Sequence, residues 1–265
     1  MTEESERNHL RTMFDEVAEL YDRVRPTYPP ELFDDLFAAA GLRPGARVLE
    51  IGCGTGKATL PLAERGLDIV CVELGADLAR IARRNLASFP RVRVVHAQFE
   101  AWDSGAASFD AVVAFTAFHW LDPAVAYEKP RRLLTDDGAL AVVTTHHVCR
   151  DDADSFWADV EKDYVAVGMS AVEEPPPRPE EVGDLGVEID ASGRFRTTAV
   201  HRYVWDVTYG VDEYVAVLDT YSGHRALRDE TRARLYALIR ARIEAAPNRT
   251  VTKSYLTTLN VAKPL

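Results

Sequence analysis

The stretch Val48–Ala63, VLEIGCGTGKATLPLA, decides how this chain is read. Arg47 to Ile51 is a short apolar run of strand type, and it leads without a linker into Gly52, Gly54 and Gly56. A helix is expected near Lys57 to Arg65. Glycines at a strand-to-helix turn permit positive φ and leave backbone N–H groups open to a ligand. Glu73 follows Gly52 by 21 residues and ends the next strand-like run, Ile69 to Glu73. A carboxylate there can accept two hydrogen bonds from a ribose diol, so the pattern predicts an adenosine-containing cofactor.

Spacing decides which cofactor. The dinucleotide fingerprint G-x-G-x-x-G needs its third glycine at position 57, where this chain has Lys57, with Gly56 one place early. Glu50, just before the loop, sits badly with a pyrophosphate. It suits the ammonium of a methionine moiety, directly or through water. S-adenosyl-L-methionine, with S-adenosyl-L-homocysteine as its product, therefore fits the loop better than NAD.

Outward from the loop the chain alternates. Before it, Leu10, Met13, Phe14, Val17, Leu20 and Tyr21 mark one helix face stopped by Pro26, Pro29 and Pro30. A second helix starts at Pro30 and is capped by Gly41. After it come a helix from about Asp77, strands at Val92 to His96 and Phe109 to Phe115, a helix with Asp122 as N-cap and Pro123 first, and a strand at Ala139 to Thr145. Pro130 predicts a kink or early break in its helix. This alternation predicts an α/β fold with a doubly wound parallel sheet.

Beyond Val148 the regularity stops. Phe156, Trp157, Val160, Tyr164 and Val167 mark an amphipathic helix, Glu173 to Glu181 (EEPPPRPEE) an extended loop, Arg194 to Tyr209 and Thr250 to Ala262 strands, and Val211 to Ile243 mostly helix. The expectation is a single domain over residues 1–265, with an N-terminal lid at about 1–30 and a cofactor-binding core at about 31–148. A cap over the sheet's carboxyl edge takes about 149–190 and 210–230, and closing strands and a helix take the remainder.

Composition narrows the class. The 265 residues are 47% apolar and 28% charged, enough for a sizeable core. Lys and Arg number 31 against 42 Asp and Glu, a formal charge of −11, which disfavours nucleic acid and anionic membranes as partners. Three cysteines without CxxC spacing argue against a disulfide framework or a thiolate metal site. With a polar, acidic start and no long apolar run, a soluble cytoplasmic protein is expected, monomeric or homodimeric and without metal. No G-x-S-x-G elbow or H-E-x-x-H helix suggests a hydrolase.

The motif VLEIGCGTG, Glu73, AQFEAWD with SFDAVVAFTAFHWLDP, and FDEVAELYDRVRPTYP resemble those of class I S-adenosylmethionine-dependent methyltransferases. The similarity is to the small-molecule branch with the trans-aconitate and quinone-biosynthetic enzymes, from about residue 14 to 145. The resemblance implies a Rossmann-like seven-stranded sheet with the last strand antiparallel. It places Gly52, Gly54, Thr55 and Gly56 around the methionine and ribose, and Glu73 with Leu74 at the ribose and adenine. Gln98 and Phe99 flank the adenine, where many relatives carry Asp in place of Gln98, and Phe115 lies beside the sulfonium. Tyr21, Arg25 and Tyr28 belong to the lid, with Arg25 facing the cofactor carboxylate.

On the carboxyl edge, His119 is the first candidate for a base and His146 the second, with Trp120 and His147 beside them. Adjacent side chains on a strand point to opposite faces, so one of His146 and His147 at most reaches a pocket there. Trp157, Tyr221 and His224 are expected to shape an acceptor pocket from the cap, although the helical spacing of Trp157 equally fits core packing. The predicted activity is in-line methyl transfer to a small molecule. A nicotinamide oxidoreductase and a non-catalytic cofactor-binding module are the alternatives.

Overall fold

Seven strands form one sheet in the order β3-β2-β1-β4-β5-β7-β6. They are β1 Arg47–Ile51, β2 Asp68–Glu73, β3 Val92–His96, β4 Phe109–Phe115, β5 Leu134–Val148, β6 Phe195–Gly210 and β7 Thr250–Pro264. A computed structural model describes residues 15–105, 108–150, 155–169 and 176–265. Leu10, Met13 and Phe14 of the expected first helix, and residues 173–175 of the proline-rich run, lie outside the described residues. β1 to β5 pair in parallel, and β7 is antiparallel to both β5 and β6. The doubly wound sheet with one antiparallel strand is thus the expected one.

The central strands β1, β2 and β4 are apolar on both faces because helices cover both. Along β4, Ala111, Val113 and Phe115 face one layer with Leu32, Phe33, Leu36 and Leu62. Val112 and Ala114 alternate into the other, with Leu49, Ile51, Leu140 and Val142. The first layer comes from α2 (Pro30–Ala40), ended by Gly41 at φ 73°, and α3 (Thr59–Glu64). α4 spans Ala76–Asn85. Asp122 accepts the Ala124 N–H at 2.9 Å and caps α5 (Pro123–Ala126). The chain breaks at Tyr127 and restarts as α6 (Glu128–Leu133), because Pro130 has no N–H to offer the carbonyl of Ala126.

Two departures from the sequence reading matter for the site. β5 begins at Leu134, ahead of the expected Ala139, and absorbs its Asp136-Asp137-Gly138 turn signal through a register shift against β4 between Phe109 and Ala111. At its other end β5 outruns β4, whose Phe115 pairs with Val143, and continues to Val148. The β6–β7 ribbon overshoots on the same side, where Gly210 pairs with Thr250.

Helices α7 (Phe156–Ala166), α9 (Val211–Leu218), α10 (Ser222–Arg225) and α11 (Asp229–Ala245) gather about this overshoot. Phe156, Trp157, Tyr214, Val217, Leu235 and Ile239 make its apolar centre. α11, grouped in sequence with the closing strands, therefore packs among the cap residues, and Arg242 ties it to Asp163 of α7 through two bonds of 2.6 and 2.7 Å. Conversely α8 (Gly186–Ala191), grouped in sequence with the cap, buries Ile189 in a sheet layer. The proline-rich run contains a short 3-10 turn at Pro179–Glu181.

α1 (Ala18–Val24) closes the opposite side. Asp15 Oδ1 accepts the N–H groups of Asp77 and Leu78 at 2.7 and 2.9 Å, at the start of α4. Glu19 and Asp22 meet Arg84 along the same helix, exposed pairs that align more than they stabilise. This docking sets Tyr21 above the glycine loop. Among the described residues no helix is long and apolar enough to cross a membrane, and no cluster of three His, Cys, Asp or Glu could hold a metal.

Candidate functional site

A cavity of about 600 Å³ opens at the carboxyl ends of β1, β2, β4 and β5, roofed by α1 and the cap. Its floor is the glycine loop. Gly52 has φ 67°, and a Cβ there would lie 2.7 Å from the Cβ of Ala117, so only glycine lets the loops after β1 and β4 approach this closely. Gly54, at φ 56°, has open space above it up to Tyr21, 3.9 Å from where a Cβ would stand.

Glu73 shapes that floor. Its Oε2 accepts the Gly54 N–H and its Oε1 the Gly75 N–H, each at 2.8 Å. Burial pushes its carboxyl above the ordinary value, and the N–H donors of Gly75, Gly54 and Leu74 hold it back. Three donors on two oxygens leave the carboxylate with acceptor capacity for a hydroxyl at the cavity wall. Leu74 and Phe99 lie on the same wall. The buried Lys129, not singled out in the sequence, fixes the loop after β3 by donating to the carbonyls of Phe99, Glu100 and Trp102.

Glu50 lies beneath the loop, fully buried and off the cavity wall. Thr59 Oγ1 donates to its Oε2 at 2.7 Å, while Oε1 has no protein partner. Burial raises its carboxyl to about 7 against the bond from Thr59, with Glu73 adding to the rise. Thr55 and Gly56 also sit below the surface: the Thr55 carbonyl accepts from Asn85 at 3.0 Å, and Gly56 packs on Leu86 at φ 90°. Gln98 is exposed and off the wall, its carbonyl closing a turn with the Trp102 N–H.

At the other end the wall carries Phe115, His119, Trp120 and His146. Burial lowers both imidazoles, His119 further through His146 and His146 through Arg202, so both favour the neutral form. His147 points away and packs on Trp157, with ring centroids 4.3 Å apart. Trp157 and His224 belong to the packing of the cap, where the His224 Nε2 meets Tyr164 Oη at 3.2 Å. Tyr28 stands behind the wall, edge-on to Phe115 and bonded to Thr116 Oγ1 at 3.0 Å.

Tyr21, Arg25 and Tyr221 close the roof. Arg25 donates from Nε to Thr220 Oγ1 at 2.6 Å and from Nη2 to the Thr220 carbonyl at 2.9 Å, which ties the end of α1 to the turn after α9. The structure thus brings Tyr21, Arg25, Gly52, Gly54, Glu73, Leu74, Phe99, Phe115, His119, Trp120, His146 and Tyr221 to one cavity. It leaves Glu50, Thr55, Gly56 and Gln98, with Tyr28, His147, Trp157 and His224, off its wall.

Sequence reasoning passed over Thr116, Thr144, Thr145, Leu185 and Glu188, which also line it. Thr116 holds a left-handed φ of 53°, strain of about 1–2 kcal/mol for a non-glycine residue. Its place directly after β4 was a usable signal. Leu185 and Glu188 reach the cavity through the tertiary placement of α8, which no local pattern encodes.

Comparison with known proteins agrees with this geometry. The methyltransferase-domain family matches residues 48–138. An uncharacterized methyltransferase of Mycobacterium tuberculosis is 37% identical over 137 residues, 52% of this chain and 54% of that protein. The malonyl-[acyl-carrier protein] O-methyltransferase of Geobacter sulfurreducens is 36% identical over 142 residues, 51% and 52% of the two chains. The chain spans about half the length of these curated relatives. Among solved structures, a candidate type II methyltransferase from Anaeromyxobacter dehalogenans is 26% identical with a TM-score of 0.65, covering 90% of this chain and 97% of that one. A methyltransferase from Geobacter sulfurreducens in complex with S-adenosyl-L-homocysteine shares the fold at 16% identity and TM-score 0.54, covering 93% and 96%.

Proposed function

We propose that the protein, whose residues 48–138 match the methyltransferase-domain family, transfers a methyl group from S-adenosyl-L-methionine to a small-molecule acceptor. One observation carries the reading: Glu73, on the cavity wall, is locked by the N–H groups of Gly54 and Gly75 beside an open glycine floor. That arrangement offers paired acceptors to a ribose and uncovered backbone to an aminoacyl chain. The unpartnered Glu50 Oε1 below the loop supplies an acceptor for an ammonium through water. Glu73 would serve the ribose of either cofactor; it is Glu50, below the loop where a dinucleotide's pyrophosphate would lie, that speaks against the nicotinamide alternative.

When bound, the sulfonium cofactor supplies an activated methyl carbon with its leaving group already in place. The chain's work is then positioning and water exclusion. Glu73 and Leu74 hold the nucleoside end, Phe99 its base, and Gly52 and Gly54 the methionine end. Phe115 and Tyr21 wall off solvent, and Arg25 stands at the roof where a carboxylate can approach. His119 and His146, kept neutral by burial, are placed to accept a proton from an acceptor that enters ionisable. A concave pocket of about 600 Å³ beneath these helices suits a metabolite better than a polymer. Three unpaired cysteines fit a reducing compartment such as the cytoplasm.

The test is transfer of label. Protein incubated with methyl-labelled S-adenosylmethionine and a low-molecular-mass cell extract should move label into an extract component, and Glu73→Ala should not. Cofactor binding with no transfer to any fraction would instead favour a non-catalytic module.

A further inference from the structure

Behind the cavity wall, next to Tyr221, lies a buried cation that no carboxylate among the described residues answers. Lys253, on β7, is only 7% exposed. Its hydrogen bond, at 3.3 Å, goes to Tyr221 Oη. Around its ammonium stand the rings of Tyr221, Tyr255 and Trp157, at 5.1, 5.5 and 5.9 Å. Among the described residues no carboxylate lies within ion-pair distance of it. Burying an ammonium without an anion is costly, and of the phenols around it Tyr221 is the one whose hydroxyl it bonds. Arg25 adds a second positive charge, its guanidinium carbon 4.1 Å from the centre of the Tyr221 ring.

We propose that Tyr221, paired with Lys253, is the proton acceptor of the acceptor end of this cavity. This rests on the methyl-transfer reading and extends it by naming a base other than the two histidines. The roof supports the placement. The Arg25 guanidinium lies between the Tyr221 ring and the Tyr21 ring, 5.2 Å from the latter, so the Tyr221 phenol stands over the same cavity as the glycine floor. Tyr221 itself reaches the cavity wall.

The groups facing it come from every neighbouring element: Tyr21 and Arg25 on the lid, Lys253 and Tyr255 on β7, Tyr209 on β6, and Tyr214 and His224 in the cap. Burial pushes the Tyr221 hydroxyl up. Lys253, Arg25 and the hydrogen bonds of Lys253 and Tyr255 more than reverse this and bring it down to about 8. Phenolate therefore accumulates as pH rises through about 8. It is then a stronger base than either lowered imidazole, and a better match to an acceptor O–H or N–H of moderate acidity.

In the step, the acceptor's O–H or N–H bond breaks with its electron pair left on the acceptor atom. The proton goes to Tyr221 Oη, turning phenolate into phenol. The acceptor's pair forms the bond to the methyl carbon, and the carbon–sulfur bond breaks with its pair on sulfur, discharging the sulfonium. Loss of the phenol proton to water restores the pair, with Lys253 charged throughout.

The experiment needs no acceptor. Ultraviolet absorbance of tyrosinate is titrated in the folded protein with saturating S-adenosylhomocysteine, for wild type, Tyr221→Phe and Lys253→Met. The wild type should show one tyrosine ionising near pH 8. That titration should vanish in Tyr221→Phe and move up by about one unit or more in Lys253→Met. Calorimetry should find the Tyr221→Phe affinity for S-adenosylhomocysteine within about threefold of wild type, because phenylalanine keeps the ring beneath Arg25 and removes the hydroxyl alone. A wild type that binds S-adenosylhomocysteine but has no tyrosine ionising early overturns the proposal. So does a Tyr221→Phe variant that loses tenfold or more in that affinity. Absence of S-adenosylhomocysteine binding to the wild type instead counts against the methyl-transfer reading itself.

Discussion

Replacing Gly52 by alanine puts a methyl carbon 2.7 Å from Ala117 Cβ, on a backbone held at φ 67°. The left-handed conformation costs an L-residue about 1–2 kcal/mol. Ordinary carbon–carbon contact is about 3.5–4.0 Å, so the loops after β1 and β4 must part by about 1 Å. Forcing a methyl into packed space costs a further 1–3 kcal/mol or so, for a total of about 2–5 kcal/mol. Gly54→Ala is the control. At φ 56° it bears the same backbone cost, but its Cβ meets nothing nearer than Tyr21 at 3.9 Å, so its loss should stay near 1–2 kcal/mol. At about 2–4 °C per kcal/mol for a chain of this size, scanning calorimetry should place Gly52→Ala several degrees below Gly54→Ala. Titration with S-adenosylhomocysteine should show the reverse emphasis in Gly54→Ala, a modest melting change with clearly weakened binding, because the new methyl stands on the cavity floor. Equal melting losses in the two variants, or undisturbed binding by Gly54→Ala, would refute the reasoning.

Asp163→Ala removes the carboxylate that accepts both bonds from Arg242 between α7 and α11; urea unfolding should show a loss of about 2–4 kcal/mol, at the lower end because the guanidinium is partly exposed. Burial, with Lys253 adding to it, lowers His224 to about 4 and His147 to about 2. At these two sites the unfolded chain therefore binds more protons than the native one below about pH 6.5, two groups against the single opposing Glu50, and the melting temperature should fall as pH drops from 7 to 5. His224→Gln should flatten that fall, and an unchanged slope would remove His224 as its source. Glu50 has the opposite sign: raised to about 7, its contribution is whole below the unfolded value of 4.5 and is lost as pH rises through 7. Glu50→Gln should thus match wild type at pH 5 and melt higher at pH 8, while binding S-adenosylmethionine less well; a lower melting point at pH 8 would contradict this.

Much of the sheet was legible because its strands carry their own signals. Arg47–Ile51, Val92–His96 and Phe109–Phe115 are short apolar runs bounded by glycine, proline or charge, and they lie where the sequence put them. Asp122 with Pro123, and Gly41, marked helix ends through capping chemistry that acts within a few residues. The start of β5 was hidden because its bulge spends the turn-forming Asp136-Asp137-Gly138 inside a strand. Site residues followed the same division. Gly52, Gly54 and Glu73 were legible as a spacing, and only one histidine of the pair at 146 and 147 reaches the cavity, as strand alternation required. Whether Glu50, Thr55 or Gly56 stands on the wall or beneath it depends on side-chain direction in the loop. The cap's contributions depend on how α7 to α11 settle on the overshooting β6–β7 ribbon, which is decided at long range.

The central claim is that this cavity is built for an adenosylated amino acid and not for a dinucleotide. Calorimetric titration of the whole chain with S-adenosylhomocysteine and, separately, with NADH tests it directly. The account predicts one S-adenosylhomocysteine bound per chain, no heat from NADH, and an affinity at least tenfold weaker in Glu73→Ala, where the charged acceptor of the ribose is gone. Binding of NADH without S-adenosylhomocysteine, or an unaltered affinity in Glu73→Ala, would contradict it.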